Sequence, residues 1–519
     1  MSRYLVGIDA GTSVVKAAVF DLDGTELSRA GRSVPVANPA PHLAEEDMEQ
    51  VWTAAHEAIQ EAVAASGVAP EKIFAVGATG QGDGSWLVGP DGRPVGPAYL
   101  WTDGRAGELI DAWYADGTVS RQFPVSGTGP YAGTTSALLR WRLENEPESL
   151  REGVTALWCK DWVEYRLTGE LSGDPSDASL AGIDVRSRAW SDEVLDAWGL
   201  GAARHVLPRL LAPTDVCGTV TPEAAALTGL RVGTPVVKGQ VDIAASSLGV
   251  GVIAPGDCMA VIGTAGIVTV ATDDLSAGFP PADVGWVIPH GPDTWVRAMG
   301  MNSCTPNVDW FLRELGHGFH EDARARAVSL FEHLDATVAS VPPGAGGVVF
   351  HGYTAPGGER APFVKPSARG SFSGLTAGHS RDHMLRAVYE GVAYGIRDCL
   401  DSIPTEVGTV RLAGGGASSP VWSQVFADVL GRRVVVPAGR EFGAKGAALV
   451  AGVGAGVWST LDEAVAATVD VERSYEPSAQ ATRVYDEYFG VYRQIREHVA
   501  ATWDLLHAAG RRTEAMLVA

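Results

Sequence analysis

Three groups of residues in this 519-residue chain have the types and spacing to work on phosphate. The first is Asp9-Ala10-Gly11-Thr12-Ser13-Val14-Val15-Lys16. Gly11 lets the backbone turn tightly and approach an anion. Successive N–H groups in such a turn, with the Thr12 and Ser13 hydroxyls, can donate to phosphate oxygens, and Lys16 adds positive charge. Asp9 alone would repel phosphate. It belongs there if Mg²⁺ lies between, because Mg²⁺ takes a few carboxylates together with phosphates and retained water. An ordinary Asp-Gly hairpin is the alternative. The second group is Gly239-Gln240-Val241-Asp242, after a short apolar run and before an Ala/Ser-rich stretch over 243–248. Phosphoryl transfer to an alcohol needs a carboxylate that accepts the hydroxyl proton, the rest being positioning and charge neutralisation; Asp242 is placed either for that or for capping a helix. The third is Gly414-Gly415-Gly416 with Ser418, between the strand-like run 410–413 and a helix over 421–430. Strand, glycine loop and helix N-terminus together suit an anion or nucleotide, or serve only tight strand–helix packing.

Two further clusters suit a polyhydroxylated ligand. Gln81, Gly82 and Asp83, within Thr79-Gly80-Gln81-Gly82-Asp83-Gly84-Ser85-Trp86, offer donors, acceptors and close backbone access. Trp101-Thr102-Asp103-Gly104-Arg105 offers an aromatic plane and an acid–base pair; a polar turn and a surface ion pair are the alternatives. Asp161, in Lys160-Asp161-Trp162, reads as a helix cap. The twelve histidines show no metal-ligand spacing, and the chain has neither a P-loop nor a complete dinucleotide fingerprint.

Elements that position these groups alternate along the chain. Strand patterns fall at 4–8, 14–20, 73–78, 236–238, 258–262, 267–271, 348–350, 410–413 and 434–436, and helical patterns at 48–65, with Asp47 as cap, 135–144, 381–400, 421–430 and 479–508. Such alternation predicts layered α/β domains. The stretches 6–24 and 258–274 both read strand, Gly-Thr turn, strand, acidic turn, with Gly11-Thr12 and Gly263-Thr264 spaced 252 residues apart. That spacing suggests a duplicated domain, two copies facing each other across a cleft where ligands bind. The boundaries expected are 1–246, 247–475 and a helical extension at 476–519 packed on the second domain. Lys and Arg total 40 against 62 Asp and Glu, a net charge of −22; so acidic a surface repels nucleic acid and anionic membranes over most of its area. Five scattered cysteines, no CxxC pair and no long apolar run point to a cytoplasmic protein with no disulfide scaffold and no membrane span.

Taken in order, these pieces resemble the FGGY family of carbohydrate kinases. The resemblance is carried by the segments around Asp9, Gln81, Trp101, Asp242 and Gly263-Thr264, by Gly358-Glu359-Arg360-Ala361-Pro362 and Tyr389-Glu390-Gly391-Val392-Ala393, and by Gly414 to Pro420 with Trp422 and Gln424. It implies an α/β fold of two actin-like, ribonuclease-H-like ATPase domains closing on ATP, Mg²⁺ and a sugar or polyol, and allows a homodimer. It assigns Asp242 as catalytic base and substrate contact, Asp9 to the metal, and Gly11, Thr12, Ser13, Lys16, Gly263 and Thr264 to phosphate. Gly414, Gly415, Gly416, Ser418 and Gln424 fall in its ATP region, and Gln81, Gly82, Asp83, Trp101, Asp103 and Arg105 in its sugar-facing region. Xylulose kinases usually carry Met-His after the glutamine and glycerol kinases Arg-Glu; Gly82-Asp83, with the segments around Cys159 and Asp174, looks most like erythritol kinases, while Leu138 to Glu148 also looks like L-xylulose kinases. The expected substrate is a small linear polyol, erythritol or a related tetritol, or alternatively a pentulose. A non-catalytic sugar-binding regulator would need a lost base or a damaged phosphate loop, and a chaperone-type ATPase a peptide-binding module.

Overall fold

The computed structural model describes residues 3–276 and 283–518. Its core is two sheets built on one plan. In the first, Tyr4–Ala10, Val14–Phe20 and Glu26–Ser33 form an antiparallel meander. Ile73–Gly80 pairs parallel to Tyr4–Ala10 on its other side, then come Pro235–Val237 and the edge strand Val216–Thr219. The second sheet repeats this. Cys258–Ile262, Gly266–Thr272 and Trp295–Met301 run antiparallel, and Thr409–Ala413 and Arg433–Pro437 follow as parallel strands beyond Cys258–Ile262. Trp286–Pro289 and Val471–Tyr475 complete its two edges. Each parallel strand follows a helical crossover, which covers the sheet faces and accounts for the continuous Val, Ile and Ala runs.

Helices pack where their apolar faces direct them. Asp47 accepts from the amide of Glu49 and caps Met48–Ser66, whose Val51, Ala55, Ile59 and Ala62 lie against the first sheet. Arg381–Asp401, at the centre of the second half, is buried almost all round. Ala479–Val518 packs on the second half, where the hydroxyl of its Tyr485 donates to buried Glu390 at 2.9 Å. No helix among the described residues is long and apolar enough to cross a membrane.

Several helices lie beyond the sequence-based expectations, and one of them bears on the site. Phe442–Gly454, from the second half, packs against Tyr4–Ala10, Ile73–Gly80 and the helix Asp242–Gly249 of the first. Its sequence is Ala- and Gly-rich and buried on every face, so it carries no amphipathic stripe to read. The approach is backbone to backbone: a Cβ on Gly446 would stand 1.8 Å from the carbonyl oxygen of Ala245.

Candidate active site

The first hairpin turns between Ala10 and Val14, with Asp9 opposite Lys16 in register. Neither Gly11 nor Gly263 adopts positive φ, so glycine serves access here rather than the turn itself. The Thr12 hydroxyl donates to Gln81 Oε1 at 3.0 Å and accepts from the Trp101 indole at 2.9 Å. Gln81 Nε2 in turn donates to buried Glu46 at 3.0 Å. Thr12, Gln81, Trp101 and Glu46 thus form one chain that locks the turn to the segments around Gln81 and Trp101. The proton of Thr12 is committed to Gln81, and Ser13 is exposed. Lys16 pairs with Glu441 at 2.9 Å, beside the start of the Phe442–Gly454 helix.

Asp242 is the first residue of the Asp242–Gly249 helix; the capping position is held by Val241. Its Oδ1 accepts from the amide of Ile243 at 2.6 Å. The loop before it is held tightly. Gly239 has φ +71° and its missing Cβ would lie 2.0 Å from the carbonyl oxygen of Ala78, so no other residue fits there. The Thr79 hydroxyl donates to the Gln240 carbonyl at 2.7 Å, and the Val241 amide to Ser176 Oγ at 2.8 Å. Ser176 leads into a buried ionic cluster. Lys160 Nζ lies 2.5 Å from Asp161, 2.6 Å from Asp174 and 3.2 Å from Asp177; Lys238 Nζ lies 2.6 Å from both Asp161 and Glu164. Asp161, expected as a cap, does accept weakly from the Trp158 amide, but its main partners are the two lysines. These three aspartates are grouped closely enough to hold a cation, and the Lys160 ammonium occupies that place.

Asp83 takes φ +59°, rare outside glycine, and its carboxylate is buried. Its oxygens accept from the Tyr131 hydroxyl at 2.7 Å and the Thr135 amide at 3.1 Å. Gly82 packs on the Asp242 loop: a Cβ there would lie 2.6 Å from Val241 Cγ2. Asp103 and Arg105 are a buried pair rather than a surface one. Asp103 accepts from the Ala44 amide at 2.8 Å and from Arg105 Nε at 2.8 Å, and Arg105 also reaches Glu45 at 2.7 Å over the Tyr99 ring. They clamp the loop that presents Trp101. Glu46 and Tyr131 were missed by sequence reasoning; one lies in the two-residue strand Glu45–Glu46 and the other in a loop, and the partners of both are remote in the chain.

The second hairpin and the glycine loop meet. The carbonyl oxygens of Gly263 and Thr264 accept from the amides of Thr305 and Cys304, at 2.9 and 3.0 Å, just ahead of the helix Pro306–Glu314. Gly414, at φ +86°, and Gly416 press on Ile262, immediately before Gly263, while nothing lies within 4 Å of the place a Gly415 side chain would take. The loop therefore packs tightly at two glycines and leaves open space at the third. The exposed Ser418 hydroxyl turns back to the Gly415 carbonyl at 2.7 Å. Gln424 donates to Asp428 and to the Glu476 carbonyl, both at 2.9 Å, so its amide is occupied by the link to the tail.

Electrostatics gather at one spot. Burial pushes Asp242 up to about 7, with the charges of Asp9 and Asp83 adding to the rise. Burial raises Asp9 to about 6, against the pull of Lys16, and Asp83 to about 7, against its two hydrogen bonds. Burial likewise lifts Glu46 to about 8. Three carboxylates that resist ionising beside one another make a site that gains from a cation. A cradle for one exists: a Cβ on Gly443 would come within 2.5 Å of Asp9 Oδ2, so the helix N-terminus leaves the carboxylate clear. All-oxygen donors of this kind suit a hard divalent ion such as Mg²⁺.

Comparison with known proteins agrees with this geometry. Residues 4–249 match the N-terminal domain of the FGGY family of carbohydrate kinases, and residues 258–455 its C-terminal domain. The chain is similar to an erythritol kinase of Brucella abortus (strain 2308), with 33% identity over 98% of each chain. It is also similar to an L-xylulose/3-keto-L-gulonate kinase of Escherichia coli (strain K12), with 31% identity over 98% of this chain and 99% of the other. Among solved structures, a xylulose kinase from Rhodospirillum rubrum superposes with a TM-score of 0.85 at 29% identity, covering 97% of this chain and 100% of that one.

Proposed function

We propose that this chain, which belongs to the FGGY family of carbohydrate kinases and is an ATP-dependent phosphotransferase, phosphorylates a terminal hydroxyl of a small linear polyol, erythritol or a related tetritol. The observation that carries the reading is Asp242 at the head of a helix, where burial and the charges of Asp9 and Asp83 raise its hold on a proton. Asp242 is the base: it accepts the proton of the acceptor hydroxyl as that oxygen attacks the γ-phosphorus. Its raised pKa matches it to a proton transfer near neutral pH. The amides of the Gly11-Thr12-Ser13 and Gly263-Thr264 turns face the phosphates, and the open space at Gly415 suits the nucleoside. Asp9 would hold Mg²⁺, which when bound neutralises charge on the phosphates.

Asp83 supports an all-hydroxyl acceptor. A carboxylate accepts from a hydroxyl but has nothing to accept from a carbonyl, and the similarity to an erythritol kinase points the same way. The similarity to an L-xylulose/3-keto-L-gulonate kinase supports a pentulose as the alternative. All five cysteines are buried free thiols, which supports a reducing compartment such as the cytoplasm. The test is ADP release with ATP and Mg²⁺ across tetritols, pentitols and pentuloses, paired with melting-temperature shifts. A tetritol should give the highest kcat/KM; a pentulose exceeding every polyol would replace the substrate assignment.

A further inference from the structure

Beside the candidate active site lies a 710 Å³ cleft with walls from both halves of the chain, among them Trp101 and Tyr131 from the first and Trp286, Asn302 and Arg360 from the second. Arg360 comes from Gly358-Glu359-Arg360-Ala361-Pro362, the segment that no step above uses. The structure shows how that segment is built. Buried Glu359 accepts from the amides of Asn302 and of Arg360 itself, both at 2.9 Å, and Asn302 Nδ2 donates to the Gly358 carbonyl at 3.0 Å. The loop is thereby tied to the end of the Trp295–Met301 strand. Arg360 Nε donates to the Gly300 carbonyl at 3.0 Å, which fixes the plane of the guanidinium. Its carbon stands 5.8 Å from the Trp101 ring centroid, 5.7 Å from Tyr131 and 5.4 Å from Trp286. Its two terminal nitrogens have no hydrogen-bond partner among the described residues.

A guanidinium oriented by its Nε, surrounded by three rings and left with two free donor groups, is arranged to read oxygens on a ligand. Tyr131 links Arg360 to Asp83: its hydroxyl donates to Asp83 at 2.7 Å and its ring centroid lies 5.7 Å from the guanidinium carbon, while the charge of Asp83 acts in turn on Asp242. A chain of carbinol carbons with one end at Asp242 would pass Asp83 and reach Arg360, its C–H faces against the rings. We infer that Arg360 is a specificity residue for the acceptor: its terminal nitrogens donate to oxygen at the end of the substrate remote from the phosphorylated hydroxyl, so that the substrate ties the second half of the protein to the first. The inference rests on the reading of this cleft as the acceptor site of a polyol kinase.

The test compares R360Q and R360K with the wild type, using the acceptor that the wild type turns over best and the same compound shortened by its distal CH–OH unit. Charged hydrogen bonds of this kind are worth roughly 10- to 100-fold. R360Q should lower kcat/KM for the full-length acceptor by about that factor and leave the shortened one nearly unaffected, so that discrimination between the two collapses. The melting temperature and the calorimetric Kd for a non-hydrolysable ATP analogue should stay unchanged. R360K, which keeps charge but loses the fork, should restore only part of the discrimination; it carries the same comparison should R360Q fail to fold. Discrimination that stays at the wild-type level in either variant, however far the overall rate falls, overturns the inference. A wild type that prefers a pentulose overturns the polyol assignment instead, and Arg360 is then tested on that pentulose and its shortened form.

Discussion

Asp9 and Gly443 are neighbours across the two halves of the protein: a methyl group on Gly443 would come to 2.5 Å from Oδ2 of the aspartate. Glycine here keeps clear the ground in front of a carboxylate. Gly443→Ala should therefore displace Asp9. An ångström of misplacement at such a group costs about 10²-fold. The loss should appear in kcat, with KM for the acceptor little changed, and urea unfolding should show a folded protein.

Asp242→Asn should lower kcat by about 10²- to 10⁴-fold, the usual worth of a positioned base, with the melting temperature unchanged or raised. Turnover within a few-fold of wild type, measured by coupled ADP release, would remove Asp242 from its assigned role.

The acid limb of the kcat/KM profile should fall near pH 7, where Asp242 ionises in the free protein. Because the charge of Asp83 raises Asp242, Asp83→Asn should move that limb to lower pH; an unmoved limb counts against the coupling. Stability follows the same groups. Asp9, Asp83 and Asp242 have folded values of about 6, 7 and 7 against an ordinary 3.8, so the folded state holds protons that the unfolded chain releases. Their contribution is present in full below pH 3.8 and is lost as pH rises through 6 to 7. The ligand-free melting temperature should decline across that window, and less steeply in Asp242→Asn.

Lys160→Met should be among the most damaging single changes. Burial alone would depress the Lys160 ammonium, but Asp161, Asp174, Glu164 and Asp177 together hold it well above its ordinary pKa. Removing it leaves buried carboxylates without their cation, a loss of about 3–5 kcal/mol, readable in equilibrium urea unfolding. Glu46→Gln is the contrast: with Glu46 raised to about 8 by burial, the neutral amide replaces a group already largely neutral at pH 7. Its effect should stay within about 0.5 kcal/mol.

What could be read in advance was local. The two hairpins, the strands that carry them and Asp242 at a helix start all follow from patterns within twenty residues, and each lies where those patterns put it. What could not be read depends on distant partners. That Asp103 and Arg105 are tied to Ala44 and Glu45 is set by contacts some sixty residues apart in the chain. Tyr131 and Glu46 carry no local sign of function; one acquires it from Asp83 and the other from Gln81. Gln424 faces Glu476 rather than open space. Arg360 stood in a recognisable segment, yet only the three rings around it show what the segment presents.

The Gly446–Ala245 contact bears on how such a molecule can open and shut. Two helix backbones pressed together without intervening side chains leave no room for slippage along that seam, so any movement between the halves must be accommodated elsewhere. Asp242 heads one of these helices and Asp9 faces the head of the other, so both lie where the halves do not slip.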